Sequence, residues 1–174
     1  MREENKVPST RTKSLVIEKT KLNEDDRAAL GRLLKPRWED LHGSTRTSRE
    51  AAFSYEKACA ALCENVETLL REFSIIFDLY RDKSNFDQTL FKQKGSGGHN
   101  RIGHVDAFFI SEVAELFAAH FGKRPSTTEE GVFFQFLTVI TDTAISGDVG
   151  FSYSARTIRE GIKYFLVAKT IRNS

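Results

Sequence analysis

The run from Thr47 to Asp82 constrains the fold of this chain more than any other part. As one helix, it places apolar residues at alternating intervals of three and four, the pattern of a helix that packs along its length against partners. This stripe consists of Ala52, Tyr55, Cys59, Leu62, Val66, Leu69, Phe73, Ile76 and Tyr80. The opposite face alternates in charge, as a solvated face does: Glu50, Lys57, Glu64, Arg71 and Asp78. Thr47 and Glu50 have the spacing of a capping box, so we predict one long helix over about residues 47–82.

A shorter helix is predicted upstream of the long one. Asn23 is a suitable N-cap, and the acidic residues that follow it would meet the positive end of the helix dipole. Pro36 disfavours a helical conformation in the residue before it, so we expect this helix to end at Lys35. Residues 37–42 would then form a separate short turn that buries Trp38.

Three further helices are predicted in the C-terminal half. The first runs from about His104 to Phe121, with Gly122 as its C-terminal stop. The second covers about residues 128–145 and is apolar on nearly every side, which is typical of a central, buried helix. Two pairs at its start have capping-box spacing, Ser126 with Glu129 and Thr127 with Glu130. The third runs from about residue 154 to 171 and would bury Ile158, Ile162, Phe165 and Leu166.

The composition agrees with an all-α fold. Hydrophobic residues make up 40% of the 174 residues and include 14 Phe, enough for a sizeable core, while only 3 Pro interrupt the long periodic runs. We therefore predict a helical bundle organised on the long helix, with the Phe-rich helix buried inside it. Residues 22–174 would form one domain, and residues 1–21 a flexible basic arm. Within this arm, residues 15–17 could instead be a short extended segment laid on the core.

Charge and cysteine content limit the possible partners and compartment of the protein. The net charge is +2, from 26 basic and 24 acidic residues, which is too balanced to indicate nucleic-acid binding by itself. No apolar run approaches the roughly 20 residues of a membrane helix, and the N-terminus lacks a signal core. Cys59 and Cys63 lie four residues apart on one helix, where a disulfide would be strained. These observations favour a cytoplasmic protein that does not contact a membrane.

The Gly-rich segment of residues 94–104 is a candidate anion site. Gly98 and Gly103 have the spacing of the glycines in a P-loop, but His104 and Val105 follow where that motif needs Lys and then Ser or Thr. A weaker possibility is an anion held by the loop at the start of the next helix. Its residues would be Gly97, Gly98, His99, Arg101 and His104. The alternative is a mobile connector.

Other catalytic and metal patterns are missing from the sequence. It contains no His-Glu-x-x-His, no Cys-x-x-Cys and no Gly-x-Ser-x-Gly. We therefore expect no catalytic residue, metal or cofactor, and an enzymatic function ranks behind a binding function.

The C-terminal helices suggest a nucleic-acid surface. Residues 136–144, a Gly-containing turn and residues 153–163 loosely resemble a helix-turn-helix, although the turn is longer than the usual three or four residues. Candidate contacts to DNA are Arg156, Arg159 and Lys163 on one helix face, together with Arg11 and Lys13 of the arm. The alternative is an ordinary amphipathic helix whose basic side faces solvent.

The length of the long helix predicts self-association. It would run roughly 50 Å, whereas a domain of this size has a radius of gyration of about 16 Å. The neighbouring helices are short, so we expect Tyr55, Leu62 and Val66 to form an open apolar seam that pairs two copies. If the helix broke near Ser74 and folded back, one chain could cover the seam alone.

The C-terminal third also resembles small uncharacterised helical proteins of alphaproteobacterial genomes and mobile elements. The resemblance rests on residues 121–126, with their Gly-Lys-Arg-Pro turn, on Glu130-Gly131, on the apolar spacing of residues 133–137 and on residues 154–163. It implies a bacterial, cytoplasmic setting and an accessory role without catalysis, and brings no ligand with it.

Three functions follow in order of preference. The first is a non-catalytic interaction module that binds a macromolecule, with a protein or a second copy as the leading partner. The second is a DNA-binding regulator that uses the basic arm and the last helix. The third is an anion- or nucleotide-binding enzyme built on residues 94–104.

Overall fold

The computed structural model describes residues 15–42, 48–81, 104–128, 130–145 and 151–172. Within these ranges the chain forms five packed helices and no strand, which confirms the predicted all-α bundle. The helices are α1 (Glu24–His42), α2 (Ser48–Arg81), α3 (His104–Phe121), α4 (Val132–Ala144) and α5 (Ala155–Arg172). None of them, in the described part of the chain, combines the length and the apolar character that crossing a bilayer requires.

The long helix α2 is continuous over 34 residues, as predicted. The apolar stripe is core in its middle part, where Leu62, Val66, Leu69 and Phe73 are buried. The core face is wider than the stripe here, since Cys63, Leu70 and Phe77 are buried beside it. All five residues of the predicted charged face are exposed. Ala52, in the first turns, is exposed as well, so the partners of α2 cover it least near its N-terminus.

Helix α1 begins as predicted but does not end at Lys35. Asn23 and Asp26 form a reciprocal cap, because the Asp26 amide donates to Asn23 Oδ1 (2.7 Å) and the Asn23 amide donates to Asp26 Oδ2 (3.2 Å). Pro36 lies inside the helix, which continues to His42. An internal proline costs roughly 3 kcal/mol. Burial of Trp38 beyond it, with its ring 5.7 Å from that of Tyr55, offsets this cost.

Helix α4 starts later than predicted. Its N-cap is Gly131, without a side-chain cap, so the predicted capping boxes are wrong. Ser126 instead accepts a hydrogen bond from the Thr128 amide. Glu130 has a positive φ of 70°, which is not a right-handed helical conformation, so the helix cannot extend back through this residue. Three polar residues of this helix form an exposed stripe: Gln135, Thr138 and Asp142. Helix α4 is therefore an amphipathic helix with a buried Phe-rich face, not one buried on all sides.

Helix α3 has the predicted bounds and packs against each of the other four helices. It ends at Gly122, whose φ of 60° suits glycine and whose amide donates to the Ala118 carbonyl (3.0 Å). Arg37 of α1 also donates from Nε to the Phe121 carbonyl (2.8 Å), so a side chain from another helix caps α3. An aromatic cluster joins α3 to α4: Phe117, Phe121, Phe133 and Phe136.

The extended segment before α1 lies on the helical core. Leu15, Ile17 and Leu22 are buried in it, and the amides of Glu18 and Lys19 donate to the Ala144 carbonyl at the end of α4. The alternative of a short extended segment on the core is therefore confirmed. The predicted boundary after residue 21 falls inside packed structure, and residues 1–14 lie outside the described ranges.

Candidate functional site: the outer face of helices α3 and α5

Helix α5 approaches α3 very closely at one glycine. A Cβ built on Gly161 would come within 2.4 Å of Ile110 Cγ2 and 3.2 Å of the Ala107 carbonyl oxygen. The N-terminus of α5 is capped by Ser154, whose Oγ accepts from the Thr157 amide (3.2 Å). As predicted, α5 buries Ile158, Ile162 and Phe165. The contact at Gly161 fixes which side of α5 faces the bundle and which side faces outward.

A groove opens between the two helices beside this contact. It encloses about 170 Å³ and is lined by Phe108, Ser111, Glu112 and Glu115 of α3 and by Tyr164, Phe165 and Lys169 of α5. Phe108 and Tyr164 are each 48% exposed, while Phe165 is buried and has the Lys169 ammonium 5.3 Å from its ring centroid. The α3–α5 groove thus has aromatic walls and carries both signs of charge.

A row of exposed apolar side chains continues from this groove along α5. Tyr164, Val167 and Ile171 follow one another at intervals of three and four, and are 48%, 58% and 71% exposed. We call these three residues the α5 outer stripe. In the described part of the chain no other element covers it. A contiguous apolar surface of this kind is typical of an interaction site.

Leu166 was predicted to be buried and is 43% exposed, so this prediction is wrong. It lies next to the buried Phe165 but about 100° further around the helix, away from α3. The same turn carries exposed Val167, so the apolar residues here outnumber the positions that α3 can cover.

A second row on α5 is positively charged. Arg156, Arg159 and Lys163, which we call the basic row, are all exposed and also recur at intervals of three and four. Lys163 pairs with Glu160 (2.9 Å), an exposed contact of little energetic weight. The helix-turn-helix interpretation is wrong, because α5 packs on α3, makes little direct contact with α4 and is separated from it by residues 145–154. The basic row is an exposed surface feature, not part of that motif.

The predicted open seam on α2 is closed within the chain. Leu62 and Val66 are completely buried, and the Tyr55 hydroxyl donates to the Gly31 carbonyl of α1. The prediction of an open seam is wrong because α1 continues past Pro36 and packs Trp38 against Tyr55. Helix α1 therefore covers more of α2 than a helix that ended at Lys35 would. Leu62 and Val66 are therefore not an exposed surface of the single chain, and self-association itself stays a prediction.

The remaining predicted site residues cannot be assembled into a site. Arg11, Lys13, Gly97, Gly98, His99 and Arg101 lie outside the described residues. His104 is the first residue of α3, and its side chain is not among those described. The anion site and the basic arm therefore stay predictions.

The described thiols and histidine give little support to reactive chemistry. Cys59 and Cys63 are free, and burial raises the pKa of each thiol, which lowers the thiolate fraction that a nucleophile needs. Burial lowers the pKa of His120, whose Nε2 accepts from the Asn65 amide group at 2.9 Å. The described residues contain no group of three or more His, Cys, Asp or Glu side chains arranged to hold a metal ion.

One buried polar cluster was not predicted from the sequence. The Tyr153 hydroxyl donates to Asp106 Oδ1 (2.8 Å), and the same oxygen accepts from the Leu15 amide (3.3 Å). Burial, followed by the negative charge of Asp106, raises the pKa of Tyr153 well above its usual value. The phenol therefore keeps its proton at neutral pH and acts as a donor. The cluster ties the extended N-terminal segment and the start of α5 to the first turn of α3.

Comparison with known proteins adds no assignment: no protein-family model, no curated protein and no solved structure matches this chain. The resemblance to alphaproteobacterial helical proteins stays a prediction. The outer face of α3 and α5 joins exposed apolar side chains to a groove and is the candidate site.

Proposed function

We propose that this protein is a non-catalytic interaction module and that the outer face of α3 and α5 binds a partner protein. The observation that carries the proposal is the α5 outer stripe, a row of three exposed apolar side chains that leads into an aromatic-walled groove. This setting suits a protein because a groove flanked by a rigid helix can take the side chains of another folded element.

The energetics support binding at this face. Complete burial of a large apolar side chain contributes on the order of 1.5–3 kcal/mol, and Tyr164, Val167 and Ile171 remain largely exposed in the single chain. Tyrosine is enriched among the residues that dominate binding energy in protein interfaces. The stripe lies on a helix fixed by the Gly161 contact, so a partner would meet a preorganised surface.

A DNA-binding regulator is the second candidate, favoured by the exposed basic row of α5. Phosphate contacts account for Arg156, Arg159 and Lys163 but leave the adjacent apolar stripe without a role. Titration of random duplex DNA against salt tests this candidate. Tight binding that weakens steeply with salt, and that is lost in Arg159→Glu, would favour DNA over protein.

We also propose that the protein acts in the cytoplasm. The two free cysteines, Cys59 and Cys63, suit a reducing compartment, where thiols are kept reduced.

The proposal is tested by affinity capture from the organism that encodes the protein. Wild type, Val167→Asp and Lys57→Asp are each used as bait, because Val167 lies in the stripe and Lys57 on the solvent face of α2. We expect at least one protein to be captured by wild type and by Lys57→Asp but not by Val167→Asp. Capture that is identical for all three baits would contradict the proposed surface.

A further inference from the structure

We propose that the element bound by this face is an acidic amphipathic helix that lies along α5. Its apolar ridge would cover the α5 outer stripe, and its carboxylates would face the basic row. This inference rests on the proposed function and specifies the chemistry of the partner.

The charge of α5 favours an acidic partner. The helix contains five basic residues against one acidic residue, Glu160, a net charge of +4. The whole chain has a net charge of only +2. Each of the other four described helices contains more acidic than basic residues, so α5 is the one helix among these five with a net positive charge. The same charge disfavours pairing of α5 with α5 of a second copy, since like charges would be brought together.

The spacing of the two rows favours a helix over an extended peptide. Arg156, Arg159 and Lys163 are separated by three and four residues, and so are Tyr164, Val167 and Ile171. At 100° per residue the two rows lie about 80° apart on the helix surface. The basic row spans residues 156–163 and the stripe residues 164–171, so the two follow one another along the axis of α5, each over about two turns. A partner helix has ridges with the same periodicity, so an acidic row in one half and an apolar row in the other can match both. A strand, with a period of two, would lose register.

The α3 side of the surface distinguishes a protein from an anionic membrane. Glu112 and Glu115 line the groove together with Tyr164 and Lys169, so the stripe begins beside two carboxylates as well as after the basic row. A uniformly anionic lipid surface that covered the stripe would bring like charge towards these carboxylates. A helix can present acidic residues to the basic row and neutral or basic residues to the groove.

Designed peptides test this inference directly on the full-length protein. Three helical peptides of 18 residues, the length of α5, share a leucine ridge with intervals of three and four in one half, and carry Glu, Gln or Lys at the same intervals in the other half. Fluorescence anisotropy measures their binding. We expect the Glu peptide to bind at least about threefold more tightly than the Gln peptide, since it can form three exposed ion pairs with the basic row and each such pair contributes modestly. The Lys peptide should bind most weakly.

Variants of the protein link this preference to the surface. Arg159→Glu combined with Lys163→Glu should reverse the order of the Glu and Lys peptides. Val167→Asp should abolish binding of all three. Lys57→Glu, which changes charge on the solvent face of α2, should alter none of them. All substituted positions are exposed, and matching circular dichroism spectra check that the variants keep the fold.

Several outcomes would overturn the inference. Equal binding of the three peptides would mean that charge does not select the partner. Binding to vesicles of mixed anionic and zwitterionic lipid that requires Val167, without binding of the Glu peptide, would assign the face to a membrane. If affinity capture depends on Val167 while the protein binds the Glu peptide no more tightly than the Gln and Lys peptides, the proposed function stands and only the acidic-helix inference fails.

Discussion

Gly161 of α5 and Ile110 of α3 are so close that the missing side chain of the glycine defines the helix contact. A Cβ at position 161 would lie 2.4 Å from Ile110 Cγ2 and 2.5 Å from Ile110 Cβ. Ile110 is β-branched and fully buried, so it has little freedom to move aside. This contact sets the position of α5 on α3, and with it the groove and the outer stripe.

We predict that Gly161→Ala destabilises the protein by about 1–3 kcal/mol, the usual cost of overpacking a core, although alanine favours a helix by up to about 1 kcal/mol over glycine. Denaturant unfolding measures this change. In a double-mutant cycle with Ile110→Gly, the two substitutions should couple, because the second removes both atoms that the new methyl group would overlap, Cγ2 and Cβ. Additive free energies would contradict the close contact.

Leu62→Ala should lower the free energy of unfolding by about 2–5 kcal/mol, the range for a fully buried leucine. Lys57→Ala, on the exposed face of the same helix, should change it by no more than about 0.5 kcal/mol. Thermal or chemical melts of both variants make the comparison. Equal effects would mean that the burial pattern of α2 is wrong.

Tyr153→Phe removes the hydroxyl that donates to buried Asp106 and should cost about 1–3 kcal/mol of stability, because the carboxylate loses a partner that water cannot easily replace. Tyr164→Phe is the matched control, since Tyr164 is half exposed. Hydrogen exchange should also speed up at Leu15, whose amide donates to the same oxygen. A Tyr153→Phe variant as stable as the control would argue against the buried cluster.

His120 predicts a loss of stability in mild acid. Burial lowers its pKa in the folded protein, so between that value and the unfolded pKa of about 6.5 the unfolded state binds more protons. Its contribution is therefore complete above about pH 6.5 and declines as the pH falls below it. Urea unfolding of wild type and His120→Gln from pH 8 to 5 tests this, and the wild type should lose more stability. If the stability of wild type and of His120→Gln fell in parallel with pH, His120 would not be the source of the acid sensitivity.

The parts of the fold that depend on local pattern could be predicted from the sequence. The bounds of α3 and the apolar stripe of α2 follow from apolar periodicity, and the role of Asn23 as an N-cap follows from its capping preference. The continuation of α1 past Pro36 could not, because a local rule is outweighed there by the distant contact of Trp38 with Tyr55.

The candidate site was predictable only in part, for the same reason. The basic row could be found from sequence, since charged residues at helical spacing are normally exposed. The α5 outer stripe could not, because apolar spacing alone does not show which residues α3 covers. That choice is made by the approach of Gly161 to Ile110, residues 51 positions apart.

Photo-cross-linking from position 167 detects a protein bound to the outer face of α3 and α5 in the cell. A photoreactive phenylalanine analogue replaces Val167 in cells of the organism that encodes the protein, and Lys57 in a matched control. We expect a discrete cross-linked protein from position 167 and none from position 57, with the cross-link suppressed when Ile171→Asp is added. Equal cross-linking from both positions, or none from position 167 at native expression, would contradict the claim that the outer face of α3 and α5 is a protein-binding surface.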